Sequence, residues 1–315
     1  MKGLRFVPSD THVPFIQWRM FSLVASSLLI VASIVLFLSA GLNYGIDFKG
    51  GTMIEIKNKS GPVNLSEMRA QMNGLGLGEV QIQEFGAPDD VLIRIGTQEG
   101  GDASQQIAIQ KVKESLGDTV DYRRVEVVGP TVSGELIQSG TIAVLVAIFA
   151  VLVYIWFRFE WQFSIGAVAA LVHDVVLTIG LFCLLQLEFN LSIIAAILTI
   201  VGYSLNDTVV VYDRVRENLR KYKKMPLDQL LDVSINDTLS RTILTSVTTL
   251  IALGSLYIFG GEVIRGFTFA MIWGVVVGTY SSIFVAAPLL LWLGVKREWS
   301  GQGRAKVKEP AAERG

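Results

Sequence analysis

Val201–Asn218 reads VGYSLNDTVVVYDRVREN and decides how the rest of the chain is interpreted. It continues an apolar run that starts at Leu191, is interrupted by Asn206 and Asp207, and turns basic after Tyr212. If Leu191–Tyr212 crosses a bilayer, Asp207 lies about 8 Å from the basic end, because each helical residue advances about 1.5 Å. A carboxylate at that depth costs roughly 2.5 kcal/mol or more, which makes Asp207 a functional candidate. A fixed polar contact between helices is the alternative interpretation.

The composition is typical of a membrane protein. Of the 315 residues, 51% are hydrophobic, mean hydropathy is +0.50, and the apolar residues occur in blocks of about 20, the length of a membrane span. A net charge of −1 gives no reason to expect a nucleic-acid partner. A single cysteine excludes a disulfide within the chain, and two separated histidines give no metal-site spacing. Since a phosphate-binding glycine loop is also absent from the sequence, we predict no cofactor and no metal.

The apolar blocks predict six membrane-spanning helices, a cytoplasmic N-terminus at 1–19 and a cytoplasmic tail at 294–315. The predicted spans are residues 20–40, 137–157, 163–185, 191–212, 242–259 and 267–293. A basic loop, Arg214 to Arg241, follows span four. Lysine and arginine concentrate in the N-terminus, this loop and the tail, which predicts that all three lie inside and that both termini are cytoplasmic. The chain is therefore expected to be a multi-pass membrane protein with both termini on the inner side.

Residues 41–136, between spans one and two, are predicted to form a domain on the outer side of the membrane. Alternating segments near Met53, Ile82, Ile93 and Val125 indicate four strands, with a turn at 87–90 between the second and third. Residues 64–72 and 103–116 indicate two helices, the first capped by Asn64. The order β-α-β-β-α-β predicts a ferredoxin-like α+β domain. Its sequence shows no catalytic constellation.

Three ionisable elements fall within the apolar blocks: the pair His173–Asp174, Asp207 and Arg241. Asp207 and Arg241 are expected at similar depth, because both lie near the inner ends of their spans. Pairing with arginine favours the charged carboxylate and burial favours the neutral acid. A carboxylate whose arginine partner comes and goes can therefore take up and release a proton. A permanent structural ion pair is the alternative, and His173–Asp174 together with Asn206 are secondary candidates.

Two further patterns favour structural roles. Span five carries the hydroxyl residues Thr242, Thr245, Ser246, Thr248 and Thr249. Such residues usually bond to carbonyls of their own helix or hold neighbouring helices. Gly274 and Gly278, four residues apart in span six, are typical of close helix packing.

Four stretches resemble the SecD–SecF family of bacterial protein-export membrane proteins, which belongs to the resistance-nodulation-division superfamily. They are Gly45-Ile-Asp-Phe-Lys-Gly-Gly51, the stretch Val201–Asn218, Thr238-Leu-Ser-Arg-Thr242 and Phe259-Gly-Gly261. The resemblance covers nearly the whole chain and implies the SecF-type half of the complex. One departure is Tyr212, which stands where many relatives carry a small polar residue.

The resemblance implies a function, partners, site residues and a location in the bacterial inner membrane, with residues 41–136 in the periplasm. A SecF-type chain would pair with SecD, cooperate with the SecYEG translocon, YajC and YidC, and use the proton gradient to help secreted proteins cross the membrane. Asp207 would be the protonatable residue and Arg241 its arginine partner. Span four would face SecD, with membrane lipid around the remaining spans.

Two other functions compete with this one. An autonomous small-molecule or lipid exporter of the same superfamily is less favoured, because six spans and one outer domain are half of the usual twelve-span unit. A structural scaffold, in which the intramembrane charges are fixed, is the second. An enzyme has no support, since no nucleophile and base occur at plausible spacing and no catalytic residue is predicted.

Overall fold

Six helices are long and apolar enough to cross a membrane in the computed structural model, which describes residues 11–78 and 80–295. Most of the predicted N-terminal segment and nearly all of the predicted tail lie outside these residues. In chain order the elements are α1 (Arg19–Ser39), β1 (Asn43–Tyr44), α2 (Ile46–Lys49), β2 (Gly51–Asn58), α3 (Leu65–Asn73), β3 (Val80–Phe85), β4 (Ala87–Ile95), α4 (Asp102–Leu116), β5 (Val120–Val128), α5 (Pro130–Arg158), α6 (Trp161–Leu185), β6 (Glu188–Phe189), α7 (Leu191–Lys221), α8 (Leu227–Phe259), α9 (Glu262–Ser281), a π-helical turn (Ser282–Ala286) and α10 (Ala287–Leu293). This architecture confirms the predicted fold class of six membrane helices with one small α+β domain.

The membrane helices form a bundle with α6, α7 and the α9–α10 unit at its centre. In these three, 50–67% of the most apolar window is buried within the chain, against 11–17% in α1, α5 and α8. Two glycines bring α9 against α7: a methyl group on Gly274 would lie 2.2 Å from Ile200, and one on Gly278 would lie 3.0 Å from Ser204. The structural interpretation of this glycine pair is confirmed. The close approach places polar residues of α7 and α9 within hydrogen-bond reach.

The segment predicted as a basic loop after span four is mostly helical, so that prediction is wrong. Helix α7 continues to Lys221 and α8 already begins at Leu227, which leaves only a short turn between them. The two extensions pack through buried apolar side chains, including Val215 and Ile235. They also share a polar contact in which the Asn218 amide donates to the Ser234 hydroxyl at 3.0 Å. Charged residues on the outer faces hid this apolar stripe from the sequence interpretation.

The α+β domain contains one antiparallel sheet with strand order β3-β4-β2-β5, the ferredoxin-like arrangement predicted from the sequence. Its core lies between the sheet and the helices α3 and α4, and centres on side chains such as Ile54, Ile93 and Val112. Asn64 caps α3 as predicted, accepting hydrogen bonds from two backbone N–H groups. The turn predicted at 87–90 is wrong: the chain reverses at Gly86, whose φ of +89° suits glycine, and β4 starts immediately after it.

A compact junction joins the α+β domain to the membrane bundle. Strands β1 and β6 pair in parallel, Asn43 with Glu188 and Tyr44 with Phe189. The Glu188 carboxylate forms an ion pair with Arg94 of the central strand β4. A carboxylate oxygen of Asp47, in α2, accepts a 2.8 Å hydrogen bond from the backbone N–H of Leu191, the first residue of α7. The domain is thus attached to the N-terminus of the helix that carries Asp207.

Candidate functional site

Asp207 of α7 is 6% exposed and lies inside the bundle, where it faces α8 and the π-helical turn. One carboxylate oxygen accepts a 2.8 Å hydrogen bond from the Thr242 hydroxyl of α8. The other accepts a 2.9 Å hydrogen bond from the Ser282 hydroxyl at the start of the π-helical turn. Both donors are neutral, so they orient the carboxylate and satisfy its oxygens without supplying a positive charge.

Arg241 is exposed on α8 and forms no ion pair with Asp207 within 4.0 Å in the described part of the chain. It directly precedes Thr242, the residue of α8 that donates to Asp207. The structure therefore brings the two predicted site residues near each other without pairing them. An arginine stem is long and flexible enough to change its partner, and the exposed position leaves this one room to do so.

Four of the five hydroxyl residues predicted as a stripe on α8 divide into two groups. Thr245 and Thr248 donate to carbonyl oxygens of their own helix, at 2.9–3.1 and 2.8–3.0 Å, as expected for structural hydroxyls. Thr242 and Ser246 instead reach other helices, since Thr242 bonds Asp207 and Ser246 bonds Thr279 of α9 at 2.7 Å. The favoured structural role thus applies to the exposed hydroxyls, whereas Thr242 belongs to the site.

His173 and Asp174 of α6 are fully buried, 1% and 0% exposed. One Asp174 oxygen lies 2.9 Å from Nδ1 of His173. Its second oxygen accepts hydrogen bonds from the hydroxyls of Ser204 on α7, at 2.5 Å, and Ser281 on α9, at 2.8 Å. The pair predicted as secondary is therefore the more deeply buried of the two carboxylate sites.

Two consecutive serines, Ser281 and Ser282, connect the two carboxylates: Ser281 donates to Asp174, and Ser282 donates to Asp207. They sit where α9 changes from α-helical to π-helical hydrogen bonding, and such π segments occur frequently at functional sites. The sequence interpretation missed these serines and Ser204, although a Ser-Ser pair inside an apolar span was a visible signal. The intramembrane polar cluster consists of His173, Asp174, Ser204, Asp207, Thr242, Ser281 and Ser282.

Tyr212 supports the π-helical turn from below the cluster. Its side chain is fully buried, and its hydroxyl donates to the carbonyl oxygen of Ala286 at 2.9 Å. Helix α1 supports the same turn. Pro288 has no N–H, so the carbonyl of Phe284 four residues earlier lacks its usual helical donor, and the Ser22 hydroxyl of α1 donates to that carbonyl at 3.2 Å instead. Tyrosine at position 212 therefore has a specific packing role in this chain.

Asn206 is exposed on α7, although it directly precedes Asp207. Adjacent residues of a helix point about 100° apart, so burial of Asp207 in the bundle turns Asn206 outward. This secondary candidate does not belong to the polar cluster of the described chain. Its amide faces the surroundings of α7.

Comparison with known proteins identifies the family to which this chain belongs. Residues 108–296 match the model described as "Protein export membrane protein SecD/SecF, C-terminal", and residues 35–57 match the "SecD/SecF GG Motif". The chain is 50% identical over 307 residues to the protein translocase subunit SecF of Cereibacter sphaeroides, covering 93% of both chains. It is 45% identical over 310 residues to the protein translocase subunit SecDF of Brucella abortus, covering 98% of this chain and 41% of that one.

Solved structures agree with these relatives. The crystal structure of SecDF from Thermus thermophilus, described as a translocon-associated membrane protein, superposes with a TM-score of 0.82 at 35% identity. The match covers 91% of this chain and 39% of that one, so the chain spans less than half of the SecDF proteins it resembles. A SecDF structure in a super-membrane-facing form superposes with a TM-score of 0.66. This multi-pass membrane chain belongs to the SecF family of protein translocase subunits.

Proposed function

We propose that the chain is the proton-responsive SecF-type half of an accessory complex for protein export. The observation that carries this proposal is the environment of Asp207. Its carboxylate is buried in the membrane bundle, held by two neutral hydroxyls, and close to an arginine with which it does not pair. A fixed ion pair would not leave Arg241 exposed.

Two states of Asp207 follow from this geometry. In the observed state the Thr242 and Ser282 hydroxyls hold the carboxyl group without an ion-pair partner, and burial by itself favours the neutral acid. When the Arg241 side chain turns inward, its positive charge favours the ionised form. A cycle between these two arrangements takes up a proton and then releases it, which is the elementary step of a proton relay.

An exposed polar face points to a partner in the membrane. Arg241, Thr245 and Thr248 line the exposed side of α8, and Asn206 is exposed on the neighbouring helix α7. A charge facing lipid at this depth costs kilocalories, so these residues require a protein surface or a water-filled path beside them. We propose that SecD covers this face. The SecDF relatives support this partner, because they contain more than twice the length that this chain matches.

The remaining partners follow from the same proposal. The complex with SecD would cooperate with the SecYEG translocon, with YajC and YidC, and act on secreted proteins during their crossing. Both termini would lie in the cytoplasm and residues 41–136 in the periplasm. The relatives are named as protein translocase subunits, which supports export of proteins over transport of a small molecule or lipid. We assign the chain no enzymatic reaction.

The energy of a proton fits a conformational role. One proton crossing the membrane is worth about 2.3 kcal/mol per 100 mV. That is enough to shift a two-state equilibrium of a few kilocalories per mole and too little to unfold a stable cargo domain. We therefore propose that protonation of Asp207 biases the position of the α+β domain, which is attached to α7 through Asp47.

The test is gradient-dependent export into inverted membrane vesicles that contain the chain together with SecD. Asp207→Asn keeps the side-chain volume and removes the titration, so the part of export that depends on the gradient should be lost. Arg241→Met should have the same effect. Glu217→Gln is the matched control, since Glu217 is an exposed carboxylate of the same helix outside the cluster. Full gradient-dependent export in Asp207→Asn would refute the proposed role of this residue.

A further inference from the structure

Among the described residues, the buried carboxylate of Asp174 has no permanently charged positive partner. It accepts hydrogen bonds from Ser204 and Ser281, and its one ion-pair partner among the described residues is the ring of His173. That ring is charged only when both nitrogens carry a proton. An ionised carboxylate at 0% exposure is costly without a cation, and the doubly protonated His173 ring is the cation that this contact could supply.

The second nitrogen of the ring is independent evidence. Nε2 of His173 is buried and has no hydrogen-bond partner among the described residues. Buried structural histidines normally have both nitrogens satisfied, because an unsatisfied buried polar atom costs free energy. Because no hydrogen bond engages Nε2 among the described residues, the ring can take up a second proton there without breaking an existing contact.

We propose that the His173–Asp174 pair is a second proton-holding site of the membrane domain, coupled to Asp207 through the consecutive serines Ser281 and Ser282. This inference rests on the proposed function of Asp207 and adds a second site to it. Each serine donates to one of the carboxylates, so the two carboxylates hold adjacent residues of one helix. When one carboxylate gains or loses its charge, the hydrogen bond that it accepts from a serine changes in strength. Because the two serines are consecutive, a movement of one also shifts the other.

A second connection runs along α7. Ser204, which donates to Asp174, lies three residues before Asp207 and therefore on the same side of the helix. The other titratable group in contact with the pair is Tyr280 of α9, stacked on the His173 ring with centroids 6.0 Å apart. Its hydroxyl contacts the Ser26 hydroxyl at 3.1 Å and donates to the Ser22 carbonyl at 3.2 Å, both on α1. The pair therefore contacts α1 indirectly and α7 and α9 directly.

The histidine content of the chain gives a direct experiment. His12 and His173 are the two histidines, so the substitution His12→Gln leaves one histidine signal. The full chain, labelled with ¹⁵N in its histidine ring and reconstituted in lipid vesicles with unlabelled SecD, is examined by solid-state NMR between about pH 5 and pH 8. The ring nitrogen shifts report the neutral and charged forms separately.

The proposal predicts that both forms of the His173 ring appear across this pH range. At a pH where Asp207 of the wild type is ionised, Asp207→Asn removes a negative charge and should lower the ratio of charged to neutral ring by about tenfold, the ratio that corresponds to a coupling of one pH unit. Ser281→Ala keeps every titratable group, and in this background Asp207→Asn should change the ratio much less.

Two results would overturn the proposal. One is a His173 ring that keeps a single protonation form across the range, as a structural pair would. The other is a ring that titrates identically with and without Asp207→Asn. Failure of the proposed function would be a different result. If export by Asp207→Asn stayed gradient-dependent, the proposed function would be wrong, whatever the His173 spectrum shows.

Discussion

Asp47 of the short helix α2 accepts a 2.8 Å hydrogen bond from the backbone N–H of Leu191, which begins α7. Asp47 belongs to the stretch that leads directly into the central strand β2 of the α+β domain. Asp207 lies 16 residues after Leu191 along α7. At about 1.5 Å per residue this is about 24 Å of continuous helix. The carboxylate of Asp47 also carries a negative charge at the positive end of the helix dipole. One contact therefore joins the base of the domain to the helix of the candidate proton site.

Removing this contact should weaken both stability and coupling. Asp47→Ala is expected to lower the free energy of unfolding by about 1 kcal/mol, the usual cost of a lost helix cap, and to reduce gradient-dependent export. Asp47→Asn keeps an acceptor oxygen and should retain most of both. Thermal unfolding and the export assay measure the two effects. Asp121→Ala, at an exposed ion pair of the same domain, serves as control, and an equal loss there would contradict a specific role for Asp47.

The packing of Tyr212 predicts a strong effect at Gly166. A methyl group on Gly166 would lie 2.2 Å from the Tyr212 hydroxyl oxygen and 3.2 Å from the Ala286 carbonyl oxygen. Gly166→Ala should therefore destabilise the chain by roughly 1–3 kcal/mol through overpacking. Gly254→Ala meets no atom within 4 Å and should be neutral or stabilising by up to about 1 kcal/mol, because alanine favours helix.

A double-mutant cycle locates the clash that causes this loss. Tyr212→Phe removes the hydroxyl that a Gly166 methyl group would meet, so the double variant should be less destabilised than the sum of the single variants. Denaturation midpoints of the four proteins provide the measurement. Strict additivity would show that Gly166 and Tyr212 do not constrain each other.

Glu188 predicts a pH dependence at the junction, outside the apolar helices. Burial raises the pKa of Glu188 above its ordinary value of 4.5, and the nearby Arg94 opposes this shift without cancelling it. A raised folded-state pKa means that the folded protein binds the proton more tightly than the unfolded chain does. The stabilising contribution is complete below pH 4.5 and is lost as the pH rises through the raised value.

The corresponding measurement compares the melting temperatures of the wild type and Glu188→Gln over a pH series. The wild type should lose stability relative to the variant as the pH rises from 4.5. Other titrating groups cancel in the difference, because both proteins contain them. A difference that stays constant, or that changes in the opposite direction, would contradict the assigned cause.

The proposed orientation gives a prediction about topology. Reporter fusions at Gly101, in the α+β domain, and at Lys223, between α7 and α8, should report opposite sides of the membrane. The physical reason is the concentration of lysine and arginine around the α7–α8 turn, which favours retention inside. Reporters on the same side would disprove the six-span orientation.

The pattern of apolar residues along the chain made most of the fold predictable. Apolar blocks of span length and alternating strands specify local structure directly, so six helices and a ferredoxin-like domain followed from the sequence. The helical hairpin formed by the ends of α7 and α8 did not, because its stripe of Val215 and Ile235 is narrow and lies among basic residues. The reversal at Gly86 was missed because Pro88 and the two aspartates after it are themselves typical of turns.

The site was predictable in part for a related reason. A charge within an apolar run is visible in the sequence, so Asp207, Asp174 and His173 stand out as candidates. Their partners depend on which helix faces pack together, and sequence does not specify this. Ser281 and Ser282 acquire their roles only because α9 packs closely on α7 and enters a π-helical turn. Likewise, the separation of Arg241 from Asp207 depends on the rotation of α8.

Proton uptake tests the central claim most directly. Sealed vesicles containing the chain and SecD are given a proton gradient, and the internal pH is followed for the wild type, Asp207→Asn and Glu217→Gln. The claim that Asp207 carries the proton predicts gradient-driven uptake in the wild type and in Glu217→Gln, and loss of uptake in Asp207→Asn. Uptake by Asp207→Asn at the wild-type rate, with the complex intact, would contradict the claim.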